Sequence, residues 1–282
     1  MRKASNSSHF CKYLLDAASV RKVRGERLSD DGGGPLENMT DKQRSVVKRL
    51  REQGDQLLSA ERVQVRFKTG NEKAEELLND LKGHPHFFLL ACLMDRQIDA
   101  RLAWIIPYKV GEEAGGFEFG HFENLSEKKI AKMFERRKLH RFNKLQPRFF
   151  HAAIQDIRKK YSGDASMIWA GKPQSATVVR RFLEFAGAGI KIATMAANIL
   201  VRDFKVPMAD HSSIDISPDS RVMRFFKEHG LLRPDGTACE LIYLARELNP
   251  EYPGLLDFGA WQDGAAVSVR QARNVVEGLS DP

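Results

Sequence analysis

Two side chains in the second half of the chain could do chemistry together. Residues 184–200 read "EFAGAGIKIATMAANIL", which puts Lys191 two residues after Gly189 at the mouth of an otherwise apolar, small-residue helix. A helix N-terminus carries partial positive charge, so an amine there is misplaced for stability, and Asp, Ser or Thr would serve better. Among Ala and Ile the charged form of an amine is disfavoured, so its pKa is expected to fall. A neutral amine is a nucleophile that can form a Schiff base with a sugar carbon. The plain reading is a lysine that snorkels to solvent from the first turn. Asp219 lies 28 residues on, in "DISPDSRVMRFF", and follows Pro218 at the start of a second helix. As an ordinary residue it is an N-cap. Its carboxylate could also stabilise a developing cation or deprotonate an amine or water. Asp215 is the competing acid.

The turn before Lys191 is built to approach something closely. "SATVVRRFLEF", "AGAG" and "IKIATMAANILVRDF" read as two helices joined by a hairpin of very small residues. Gly187 and Gly189 permit positive φ and the close approach of another backbone. With Ile190, they sit where unpaired N–H groups and a helix N-terminus could receive a phosphate. Such a motif grips a DNA backbone without reading its sequence. A tight helix corner with no ligand is the competing reading.

Charge points the same way. The net charge is +8, yet residues 127–160 hold twelve Lys/Arg against three acids, a local excess of +9. A concentration of this kind suits a polyanion, against the plain alternative of solvated helix faces.

The elements that must hold these groups are helical. Thr40 opens "TDKQRSVVKRLREQ" with a capping-box spacing to Gln43, and Val46, Val47 and Leu50 form a stripe. "NEKAEELLNDLKG" is expected to end on Gly83 as its C-cap. Pro85 starts "PHFFLLACLMDR", a mostly apolar helix that must be buried. "IDARLAWIIPYKV" follows a short turn. Ser126 caps "LSEKKIAKMFERRK", and Pro147 sits in the first turn of "QPRFFHAAIQDIRKKY". "SATVVRRFLEF" begins after Ser175. "SRVMRFFKEHG" and "TACELIYLAREL" complete the series. Only "RVQVRFK", near Val63, alternates like a strand. The class is all-α.

With 282 residues and 42% apolar content, the chain can build one large core or two smaller ones. Residues 1–39, rich in Ser, Arg and Gly, read as a mobile leader. No apolar run has bilayer-spanning length, and no signal-peptide core is present, so an intracellular, membrane-free protein is expected. Cys11, Cys92 and Cys239 are too scattered for a disulfide framework or a four-cysteine metal site. His84 and His86 flank Pro85 and read as a loop rather than a zinc site, and no metal is expected.

Taken together, these motifs resemble the helix–hairpin–helix base-excision DNA glycosylases, the endonuclease III superfamily. "FAGAGIKIA" (185–193) is similar to that family's L-P-G-V-G-x-K-T-A hairpin. "PDSRVMRFF" (218–226) is similar to its V-D-x-H-x-x-R-[VL]. "LLACLMDRQIDARLAW" (89–104) resembles its L-L-S-x-Q-x-x-D helix and turn. "LDFGAWQDG" (256–264) resembles the helix that usually precedes an iron–sulfur loop. The resemblance covers roughly residues 80–265.

It implies a bifunctional glycosylase/AP lyase acting on double-stranded DNA that contains a damaged base. Lys191 would attack C1′ and then cleave the strand by β-elimination, with Asp219 as the essential aspartate. Gln97 would enter the duplex where the base has flipped out, since the glycosidic carbon is unreachable inside the stack. It also implies two helical domains beside a DNA-binding cleft. One is a barrel of residues 78–205 ending in the hairpin, and the other combines 40–77 with 206–282. The protein is expected to act as a monomer, located with the DNA in a bacterial cytoplasm or a nucleus.

The departures are specific. Ala186 replaces the hairpin proline. Arg221, a candidate DNA contact, stands where many members have His. "PMADHSSIDIS" lengthens the Lys–Asp interval. The four cluster cysteines are absent, so no iron–sulfur cluster is expected, although the hairpin backbone leaves room for a monovalent cation. A lysine without a cluster leans toward the 8-oxoguanine branch. Phe88, Trp104 and Trp261, with Phe87 and Tyr108, are candidates for stacking on the flipped base, against the plain reading of core aromatics. Two rivals stand beside this one. In one, a DNA-binding module uses Lys191 for a phosphate and Asp219 as a cap. In the other, a monofunctional glycosylase uses Asp219 to activate water.

Overall fold

The structure is a computed structural model and describes residues 38–62, 64, 65 and 67–263. The leader, apart from its last two residues, lies outside the described residues, as do Val63 and Arg66 of the alternating segment. Among the described residues there is no strand, and the architecture is all-α.

Local sequence explains where most helices start. In α1 (Asp41–Ser59) the Thr40 hydroxyl accepts from the Gln43 N–H and the Gln43 side chain answers the Thr40 N–H, a complete capping box. α2 (Glu72–Asn79) is capped by Asn71. It ends earlier than the sequence suggests: Gly83 is not its C-cap, because the Asp80 carboxylate folds over the turn and accepts from the Gly83 N–H at 2.7 Å. α3 (Pro85–Met94) begins on the proline, and α4 (Ala100–Ala114) is capped by Asp99. α5 (Phe119–Glu123) is a single short turn. α6 (Glu127–Arg137) has the expected Ser126 cap, and α7 (Gln146–Lys160) carries its proline in the first turn. α8 (Ser175–Leu183) includes Ser175, whose hydroxyl donates to Asp210 instead of capping the helix. α9 (Ile190–Arg202) follows the hairpin. α10 (Ser220–Glu228) is capped by Asp219 and α11 (Ala238–Leu248) by a Thr237–Glu240 box.

Two hydrophobic cores organise these helices. α3 runs through the larger one, and every residue from Pro85 to Met94 is buried. It packs against α2, α4, α7 and α9. Each of its Phe, Leu and Met side chains contributes roughly 1.5–3 kcal/mol on burial, so α3 is a fixed rod and whatever stands at its C-terminal end is fixed too. The smaller core joins distant parts of the chain: Val47 and Leu50 of α1 meet Val222, Phe225 and Phe226 of α10, Leu241 and Leu248 of α11, and Ala260. Phe67, Leu77 and Leu78 pack into the larger core.

Candidate active site

The hairpin between α8 and α9 is held from within and left open outside. Phe185 is buried, and the Ala188 N–H donates to its carbonyl at 3.0 Å. Gly187 has φ +87°, in the left-handed region. A Cβ added there would stand 2.5 Å from the Phe149 ring. Gly189 differs from the expectation: it is extended at φ −112°, ψ 179°, and needs no positive φ. A Cβ at Gly189 would meet nothing within 4 Å, so this backbone faces open space. No side chain caps α9, and Ile190 is exposed beside the bare N-terminus. The two glycines therefore separate in a stability measurement. Gly187→Ala should cost about 1–3 kcal/mol through left-handed strain and displacement of Phe149, while Gly189→Ala should stay within about 0.5 kcal/mol. Urea unfolding of the two variants checks this.

Lys191 lies in the first turn of α9, and its amine is paired. Nζ donates to Asp95 Oδ2 at 2.7 Å and stands 3.5 Å from Asp219 Oδ2. The expectation of an uncharged amine is thus corrected. Burial does pull its pKa down, but attraction and hydrogen bonding from Asp95, then from Asp219, outweigh burial and leave the amine above its ordinary value. In this state Lys191 is an ammonium ion. Sequence neighbours such as Ala193 and Ile192 suggested an apolar setting, whereas the groups that decide the charge come from other elements.

Asp219 does two things at once. Its Oδ1 accepts from the Arg221 N–H at 2.9 Å, closing the cap of α10. Its Oδ2 is left facing Lys191. Behind it lies a polar, buried layer. Thr194 and Ser217 hydroxyls are 3.3 Å apart, and Asp257 accepts from the Ser217 N–H and from Asn198. Burial pushes the Asp257 carboxyl up, and the neighbouring Asp219 charge adds to that. Asp215, the competing acid, is held elsewhere, accepting from Nε and Nη2 of Arg246 at 2.7 and 2.9 Å.

These groups open onto a cavity of about 540 Å³. It is lined by Asp95, Arg96 and Gln97 from the turn after α3, by residues 187–189, Lys191 and Ile192, and by Pro218, Asp219 and Ser220. Gln97 has φ +54°, and its carbonyl accepts from Arg141 at 3.2 Å. The Arg96 guanidinium lies 5.9 Å from the centre of the Phe149 ring, the ring that underlies Gly187. Turn and hairpin are thus tied through one aromatic ring. The structure brings Lys191, Asp219, Gln97, Gly187 and Gly189 to one opening. Arg221 is turned over Trp261, 4.7 Å from its ring centre.

Four of the five stacking candidates pack in or against the larger core, the plain reading of these aromatics. Phe88 and Trp104 stack on each other with centroids 6.3 Å apart inside the larger core, because α3 is buried on every face. Phe87 is fully buried beside Phe122, and Tyr108 stacks on Phe117. Trp261 is partly exposed but is not among the residues lining the cavity. The basic segment is also less free than its count implies: Arg136 and Arg137 pair with Glu113 and Glu112. His86 is buried and bonds the Phe117 carbonyl at 3.0 Å. Among the described residues no three His, Cys, Asp or Glu side chains converge as a metal site.

The residue that sequence reasoning missed is Asp95. It sits in the quoted "LLACLMDRQ" segment, but nothing local marks it as the partner of a lysine 96 positions away.

No family model matches the chain, and neither does any curated protein. Among solved structures, the chain is similar to the Clostridium acetobutylicum 8-oxoguanine glycosylase/lyase in complex with double-stranded DNA containing cytosine opposite 8-oxoG. The identity is 14%, over 80% of this chain and 70% of that one, with a TM-score of 0.50. It is also similar to the apo form of that protein, at 13% identity over 80% and 77% of the two chains, with a TM-score of 0.47. At 14% identity the first of these likenesses shows the fold alone: this chain has the all-helical fold of that 8-oxoguanine glycosylase/lyase.

Proposed function

We propose that the chain is a bifunctional DNA glycosylase/AP lyase that removes a damaged base through a Schiff base on Lys191, with Asp219 assisting. The observation that carries the reading is an amine and a carboxylate 3.5 Å apart, facing an open cavity beside a hairpin whose Gly189 leaves open space where a Cβ would stand. The cavity volume is sufficient for an extruded nucleotide to lie against both groups.

The chemistry follows from charge. As the bond from C1′ to the base lengthens, the sugar becomes cationic, and the Asp219 carboxylate stabilises it. Lys191 gives a proton to the departing base, and its free electron pair forms the Nζ–C1′ bond as the base leaves with the electrons of the old one. The C1′–O4′ bond then breaks, O4′ takes a second proton from Nζ, and an open-chain iminium results. A C2′ proton passes to the Asp219 carboxylate, and the electrons it leaves behind expel the 3′ phosphate and cut the strand. Gln97, held in a left-handed turn by Arg141, would occupy the gap in the duplex, where a polar wedge partly offsets lost stacking. The hairpin and the unpaired part of the basic segment would hold the DNA backbone, so affinity should fall steeply with salt.

The finer choices belong to the same proposal: an oxidised purine as the lesion, double-stranded DNA as the partner, a monomer, and two helical domains that meet at the cleft. No cofactor enters any step. A structural neighbour is a glycosylase/lyase solved with DNA containing 8-oxoG, which favours that lesion first.

The test is a panel of duplexes, each with one lesion, 8-oxoguanine among them, incubated with the protein and followed for base release and strand cleavage. Release with cleavage is expected for at least one oxidised purine. Release without cleavage would leave a monofunctional glycosylase, and binding with neither would leave a DNA-gripping module.

A further inference from the structure

Lys191 sits closer to a carboxylate that has no part in the reaction above than to the one that does. We propose that Asp95 is a positioning residue: it holds the Lys191 ammonium against the end of α3 and so sets the pH at which the amine becomes nucleophilic. This rests on the proposed glycosylase/lyase reading, and it deepens the account of that site.

Geometry makes the assignment. Asp95 Oδ2 is 2.7 Å from Nζ, against 3.5 Å for Asp219. Asp95 is buried at 8% exposure, and it terminates a helix that is itself wholly buried, so it cannot follow a moving lysine. Its N–H is tied to the Cys92 carbonyl at 3.1 Å. A helix C-terminus carries partial negative charge, which adds to the carboxylate in attracting a cation. Asp219, by contrast, has one oxygen committed to its cap.

The charged and titratable groups around the Lys191–Asp95 pair come from several elements; His140, between α6 and α7, bonds the Met94 carbonyl at 3.2 Å and interacts with Asp95. α3 supplies Asp95 and the buried Cys92, whose thiol burial pushes up. The turn supplies Arg96, which lines the same cavity, and the start of α10 supplies Asp219. Without the Asp95 charge, Lys191 keeps one carboxylate, the more distant, against the opposing effect of burial. Its proton affinity must then drop.

The experiment is trace acetylation of Lys191 with acetic anhydride across pH, read by mass spectrometry of the peptide that carries it. It needs no glycosylase activity. In the wild type the midpoint should lie above the ordinary lysine value of 10.5. In Asp95→Asn it should fall by at least one pH unit, about a tenfold gain in free amine below the midpoint. Asp95→Glu, which keeps the charge, should stay near the wild type. Borohydride trapping on an abasic duplex should show the same displacement in its rising limb. An unchanged midpoint in Asp95→Asn overturns the proposal. So does a wild-type midpoint at or below 10.5, which decides the matter even where the asparagine variant does not fold. If labelling responds to Asp95 but no variant ever forms an adduct with DNA, the glycosylase reading fails and the Asp95 assignment stands. An adduct on Lys191 with labelling indifferent to Asp95 gives the reverse.

Discussion

Replacing Lys191 with glutamine should lower strand cleavage at a damaged nucleotide by about a thousandfold or more and abolish any borohydride-trapped adduct. Duplex binding should change by less than about fivefold, since one cation among many contributes little to backbone attraction. The size of the catalytic loss follows from the role: the nucleophile's electron pair has no substitute, and glutamine's amide nitrogen is not basic. Glutamine is one bond shorter but still presents an N–H toward Asp95, so the hairpin should remain in place. The variant does leave Asp95 and Asp219 facing each other across the vacated ammonium position without a cation between them. That repulsion should cost stability, by about 1–3 kcal/mol. Single-turnover cleavage, filter binding and thermal unfolding, measured on the same preparation, separate the three effects. Cleavage within tenfold of the wild type would assign the chemistry to another residue.

Asp219→Asn should reduce base excision by about 10²–10⁴-fold with little change in stability. Asparagine is as good an N-cap as aspartate, and its side-chain oxygen can keep the bond from the Arg221 N–H that now measures 2.9 Å. What it loses is the negative charge facing the sugar. Asp219→Ala removes cap and charge together, and should add about 1 kcal/mol of destabilisation to the same loss of activity. The pair of variants therefore divides the structural role of this residue from its chemical one. Full activity in Asp219→Asn, with only the alanine variant impaired, would show that the residue is a cap and nothing more.

Much of the frame was legible because its signals are local. Thr40 with Gln43, Ser126, Pro85, Pro147 and Asp219 each mark a helix start through a bond or a fixed φ within one turn. The wholly apolar run after Pro85 could only be a buried helix. The small-residue hairpin followed by a lysine, and the Pro–Asp start of α10 after it, were legible as a pair because each is short and self-contained. The amine's ionisation was not legible. It depends on Asp95, which reaches Lys191 only because α3 packs against α9 across 96 positions of sequence. The burial of Phe88 follows from the apolar run after Pro85, whereas the fate of Trp104 was hidden for the same reason: which aromatics of α4 line a cavity is decided by how α4 is rotated against α3. Gly189 misled in a smaller way. Glycine permits left-handed backbone without requiring it, and here it serves by leaving space.

The central claim is that Lys191 bonds to the sugar of a damaged nucleotide. The measurement that tests it most directly is localisation of the reduced adduct. The protein is incubated with an 8-oxoguanine or abasic duplex under borohydride and digested with nuclease and protease, and the modified peptide is sequenced by mass spectrometry. The account predicts the residual sugar on the Nζ of Lys191. A sugar on any other amine, or no adduct in a protein that still binds the duplex, would contradict it.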